Sequence, residues 1–106
     1  MSMEERLRAF LEENPDDPMV LLSLANVVLR EGRVEEALEL VERAVEIDPD
    51  YMAAYPVLGD CREQLDDLDG AREAYEKAIT LGEKAGDRTI VEEMRAKIEG
   101  LEEDEF

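Results

Sequence analysis

The stretch EGRVEEALELVERAVEIDPD, residues 31–50, is heavily charged, yet it sets Ala37, Val41 and Ala44 at regular intervals and stops at Pro49. Ala37 and Ala44 are seven residues apart, so in a helix they share one face. Their small side chains form seats on which a second helix can rest closely. Gly32 ends whatever precedes the segment, because glycine enters the left-handed region cheaply. The spacing therefore predicts a helix over 34–47 that needs partner helices, and those partners should be visible elsewhere in the chain.

They are. Residues 18–30 read as a helix with Leu21, Leu24, Ala25 and Val28 in register, Asp16 or Asp17 as its cap and Pro18 in its first turn. Before it, residues 3–13 form a helix with Leu7, Phe10 and Leu11 on one side, interrupted by NPDDP. After Pro49 the pattern restarts. Helices are expected over 52–65 and, beyond the turn DDLDG, over 68–82. A last helix over 87–101 carries Ile90, Val91, Met94 and Ile98 on one face, and the end EEDEF is expected to fray. No strand alternation exceeds chance, so the fold class is all-α with six helices.

Shifted by 34 residues, the chain matches itself. Leu21 falls on Tyr55, Leu24 on Leu58, Ala25 on Gly59, Ala37 on Ala71, Val41 on Tyr75 and Ala44 on Ala78. This pattern resembles the tetratricopeptide repeat family, whose unit is an antiparallel pair of helices, A and B, closed by proline. Residues 18–51 match throughout; residues 52–85 depart at Arg62, which stands opposite Val28, and at Glu83, which replaces the closing proline and lets the helix run past Leu81. The resemblance implies an α-solenoid forming one domain over 1–106. Its two repeats would be flanked by capping helices at 3–13 and 87–101 and by an acidic tail at 102–106. The last helix departs from the repeat, with Thr89, Glu92 and Glu93 at the marker positions. Pro56, inside helix A of the second repeat, is expected to delay or kink that helix.

Composition narrows the function. There are 30 Asp and Glu against 12 Lys and Arg, a formal charge of −18. Binding to nucleic acid or to an anionic membrane would concentrate like charge, so neither is expected, whereas a basic partner or a salty cytoplasm suits this surface. The apolar runs are too short to span a bilayer, no signal-peptide pattern is present, and a single Cys makes no intramolecular disulfide, so a cytoplasmic setting is expected. With no His, the Ser–His and Cys–His chemistries are excluded, and a zinc site has too few ligands. Cys61 reads as a packing residue. Asp67, Asp69, Gly70 and Glu76 fall at calcium-loop spacings, but Leu65 stands where the first ligand belongs, so the segment reads as a turn with a helix cap. No enzyme activity and no cofactor are expected.

The resemblance implies that the A helices line a concave groove that takes a peptide or partner protein. The positions facing it should be Met19, Leu22, Ser23, Asn26, Leu29 and Arg30, then Ala53, Val57, Asp60, Glu63 and Gln64. Met19, Leu22, Leu29 and Val57 would form an exposed apolar strip with a polar edge. The family's carboxylate clamp is not expected. Asn26 matches one clamp asparagine, but Leu22 stands where a lysine is needed and Val57 where the second asparagine is needed. The function expected is protein–protein interaction through this groove. The alternative is a self-associating subunit, a homodimer whose groove is closed by a second copy. A minor variant places Phe106 of the tail in a neighbour's groove. A salt-adapted surface with no groove ligand is a third reading.

Overall fold

The computed structural model describes residues 1–104, and every regular element among them is an α-helix. These are α1 (Met3–Glu13), α2 (Pro18–Arg30), α3 (Val34–Ile47), α4 (Ala54–Gln64), α5 (Leu68–Ala85) and α6 (Arg88–Asp104). The first three have the bounds that the spacing predicts, because strong signals fix their ends. The Ser2 hydroxyl accepts from the Glu5 amide while the Glu5 carboxylate accepts from the Ser2 amide, a reciprocal cap for α1. The Asp17 carboxylate accepts from the Met19 and Val20 amides at 3.0 and 3.2 Å, with Pro18 as the first helical residue of α2. Gly32 leaves that helix at φ +80°. Its counterpart 34 residues on, Asp66, holds the same left-handed turn at φ +63° despite its side chain.

Two expectations are corrected. Helix α4 begins at Ala54 rather than at residue 52, with Tyr51 to Ala53 forming a turn in which the Ala54 amide donates to the Tyr51 carbonyl. That late start makes Pro56 the third helical residue. The delay expected of Pro56 is thus met, and because an amide in the first turn has no intrahelical acceptor, proline there costs no helix hydrogen bond. The last helix, expected over 87–101, runs to Asp104, so most of the acidic tail is helical. The Phe106 reading lies outside the described residues. Helix α5 does run past Leu81, as the missing proline predicts, and ends at Gly86 with φ +72°.

Each helix packs on the next along the chain, and α2 also touches α4. The result measures 43 × 30 × 20 Å with a radius of gyration of 14.0 Å. A compact chain of this length would give roughly 13 Å. The core runs as a strip along the stack: Leu24, Ala25, Val28, Ala37, Val41, Ala54, Leu58, Cys61, Ala71, Tyr75 and Ala78 are all buried. The alanine seats Ala37, Ala44, Ala71 and Ala78 are fully covered, which answers why the opening segment spaces them so regularly.

The second repeat fills its core differently from the first. A Cβ placed on Gly59 would lie 2.3 Å from Cε1 of Tyr75, whose ring is fully buried. In the first repeat the same two positions hold Ala25 and Val41. Volume removed from the A helix is thus returned on the B helix. Gly82 works similarly in α5, where a Cβ would lie 2.6 Å from Cγ2 of Ile90 and block the approach of α6.

Helix α1 buries no residue fully. Leu7 and Leu11 rest half-covered on the core, and charge supplies the rest of its attachment. Arg33 donates to both oxygens of Glu4 at 2.8 and 3.0 Å and to Glu36 at 2.7 Å, while Arg8 bridges Glu4 and Glu36. The guanidiniums, Arg33 first and then Arg8, hold the Glu4 carboxyl down to about 2.

Candidate partner-binding groove

The expected groove positions divide by what covers them. On α2, Met19 is 67% exposed at the first turn and lines a concavity of about 660 Å3 with Pro15, Asp17, Pro18 and Tyr51. Ser23 is exposed and its hydroxyl donates to the Met19 carbonyl at 3.0 Å. Asn26 and Leu29 are half-buried, and Arg30 is exposed. Leu22 departs from the expected exposed strip, for it is only 7% exposed and belongs to the core. The reason is that α1, α3 and α4 all pack on α2, so its buried arc is wider than one repeat stripe. On the second A helix, Ala53 is exposed but stands one residue before α4, and Val57 is half-buried. Gln64 closes the helix in an exposed position.

Asp60 and Glu63 are the positions with the most chemistry around them. The Tyr75 hydroxyl lies 2.6 Å from Oδ1 of Asp60 and 2.9 Å from Oε1 of Glu63. A hydroxyl has one proton, so it donates to one of these carboxylates at a time. Burial and then the hydrogen bond to Asp60 raise the Tyr75 phenol well above the ordinary tyrosine range, so it stays a donor. Lys97 reaches across from α6, with Nζ 3.2 Å from Asp60 Oδ1. Glu63, Glu93, Ala96, Lys97, Gly100 and Glu103 line a second concavity of about 360 Å3 between α4 and α6.

Reading of the sequence missed Lys97 and the Tyr75 hydroxyl. A signal existed. Leu29, Glu63 and Lys97 follow one another at intervals of 34 residues, so Lys97 holds the same repeat position on the third A-like helix. The atypical markers Thr89, Glu92 and Glu93 concealed it.

The remaining candidates lose their chemical readings to packing. Cys61 is fully buried, and burial, then Asp60 and Glu42, push its thiol up to about 11, so it stays protonated and inert at neutral pH. Arg62 donates to the Gly70 carbonyl at 3.1 Å and approaches Glu42 at 4.0 Å. The Asp67 carboxylate accepts from the Gly70 amide at 3.0 Å and caps α5, which is the turn-and-cap reading of the calcium-like spacing. Among the described residues no helix is long and apolar enough to cross a membrane.

Stacked helical hairpins with small residues at their contacts define an α-solenoid repeat protein. The tetratricopeptide repeat model matches residues 16–84, and the chain belongs to that family. It is 33% identical over 100 residues to TPR repeat-containing protein PA0015 of Pseudomonas aeruginosa, covering 94% of this chain and 95% of that one. The tetratricopeptide repeat domain protein of Salinibacter ruber, solved by NMR, superposes with a TM-score of 0.75 at 33% identity, over 83% of this chain and 89% of that one. PcrH, solved in complex with the chaperone binding region of PopD, superposes with a TM-score of 0.88 at 20% identity, over 97% of this chain and 78% of that one.

Proposed function

We propose that this chain is a protein–protein interaction module that takes a peptide or a segment of a partner protein along the face of α2 and α4. The contact residues in this reading are Met19, Ser23, Asn26, Leu29, Arg30, Val57, Asp60 and Gln64. The observation that carries it is the state of these positions. They sit at the groove register of the repeat and stay exposed or half-buried, while the alanine seats and marker positions around them are closed. Met19, Leu29 and Val57 supply apolar area and the others a polar rim, the usual make-up of a recognition surface. PcrH, which shares the fold, is solved in complex with the chaperone binding region of PopD, and that supports a partner segment as the kind of ligand. The chain has no chemistry of its own in this reading; it is a binding scaffold.

Peptides selected from a random phage-displayed library on the intact chain test it. Rebinding to Val57→Lys and Asn26→Ala is expected to weaken about tenfold, while Glu39→Lys, on the exposed side of α3, keeps it within about twofold. Equal binding by all variants would sink the groove. Molar mass followed over a concentration range serves as the parallel control. A dimer that dissociates in Val57→Lys would give the groove to a second copy instead.

A further inference from the structure

We infer that the outer face of α1 pairs with α1 of a second copy of this chain, antiparallel and about a two-fold axis, on a surface apart from the groove. The first observation is the apolar content of that face. Six large apolar side chains are exposed among the described residues, and two of them, Met3 and Phe10, lie seven apart on α1 and share one stripe. They are 60% and 46% exposed. Half-buried Leu7 stands between them on the helix, and exposed Ala9 stands beside Phe10. Helix α1 packs chiefly on α2 at one end of the stack, which leaves this stripe without a cover.

The charges beside the stripe say what covers it. Arg6 follows Met3 by three residues and Glu13 follows Phe10 by three, so both border the apolar positions, and both are exposed. Neither forms an ion pair among the described residues, whereas Glu4 and Arg8 of the same helix are tied to Arg33 and Glu36. Arg6 and Glu13 also stand equally far on either side of the midpoint between Ala9 and Phe10. A second α1 laid antiparallel about that midpoint sets Arg6 of each copy against Glu13 of the other, twice over. The two Phe10 rings then meet at the centre, and Ala9 lets the backbones approach. A parallel pair would instead set Arg6 against Arg6 and Glu13 against Glu13. The face made by Met3, Arg6, Phe10 and Glu13 is neutral in a chain of net charge −18, so two copies can meet there without bringing together surplus like charge. One pair of 11-residue helices is small beside a standard interface of about 1,600 Å2, so the dimer is a transient one, with a dissociation constant on the order of 0.1 mM.

Sedimentation equilibrium of the intact chain, from about 10 µM to about 1 mM at about 150 mM salt, tests this. The weight-average mass should rise from that of a monomer toward twice that value. Phe10→Glu should weaken the pair about tenfold or more. Arg6→Glu and Glu13→Arg, each alone, place like charges in opposition and should each weaken it about tenfold. Mixed in equal amounts, these two single variants should associate again, because every opposed pair then joins one acid and one base. An acid near the start of α1 and a base at its end both suit the helix dipole, so neither change frays the helix, and urea midpoints confirm that each variant folds. Lys84→Glu makes the same change of net charge as Arg6→Glu at a remote exposed position and should move association by less than about twofold. A mass that stays monomeric to about 1 mM overturns the inference, as does a failure of the two single variants to associate on mixing. A dimer that dissolves in Val57→Lys and survives Phe10→Glu overturns this face and gives the second copy to the groove. A dimer that survives Val57→Lys and dissolves in Phe10→Glu supports it and leaves the groove open to a partner segment.

Discussion

Gly59 shows how a single residue sets the shape of the second repeat. Its missing side chain is the space that the Tyr75 ring occupies, 2.3 Å from where a Cβ would be. Gly59→Ala therefore trades a gain in helix propensity of about 1 kcal/mol against overpacking of a rigid ring, which costs about 1–3 kcal/mol. The net expectation is a loss of about 1 kcal/mol in urea unfolding. In a Tyr75→Val background, which restores the small–large pairing of Ala25 and Val41, the same change should be neutral or stabilising. An equal cost in both backgrounds would mean that the ring is not the cause. At this scale the sequence is informative about identity and weak on coverage. The burial of Cys61 and the cap at Asp67 follow from local pattern. The burial of Leu22 does not, because it depends on how far α1 and α4 extend over α2.

Among the elements, α1 is held in part by charge, and that part of its attachment should respond to acid. Glu4 is held at about 2 in the folded chain, below the roughly 4.3 of a free glutamate. A carboxyl depressed by folding contributes its stability above the unfolded value and loses it as pH falls through the folded one. The difference in urea midpoint between the natural chain and Glu4→Gln should thus be largest above about pH 5 and close toward pH 2. A gap that stays constant across this range would show that Glu4 matters through packing alone. Element bounds were the most legible part of the chain where a side-chain cap or a proline marks them, as at the starts of α1 and α2 and at the end of α3 before Pro49. They slipped at α4, where Ala53 leads the helix with no side-chain cap, and at α6, where acidic residues continue the helix past its apolar face. The site was legible as a register and no further. Periodicity says which residues share a face, while the cluster of Asp60, Glu63, Tyr75 and Lys97 is assembled from three helices.

Over the whole molecule, a formal charge of −18 sits on an elongated body only 20 Å across its thinnest dimension. Like charges at that density oppose folding, and salt screens them over about 10 Å at 0.1 M. Salt also weakens the ion pairs of α1, but exposed pairs contribute roughly 1 kcal/mol or less each. Repulsion among the surplus carboxylates should win, and Tm should rise by about 5 °C between 0.05 and 0.5 M sodium chloride, followed by circular dichroism. A Tm that is flat or falls would mean that the ion pairs of Glu4, Arg8, Arg33 and Glu36 outweigh that repulsion.

The same elongated plan governs the order in which the chain comes together. Each helix packs chiefly on its immediate successor, so closing any one contact needs only a short linker and no meeting of distant segments. Such local topologies fold fast and can nucleate at any hairpin. During synthesis the α2–α3 hairpin can complete its packing before α4 is made, and Gly59 then waits for Tyr75, sixteen residues later, to close the gap left for it.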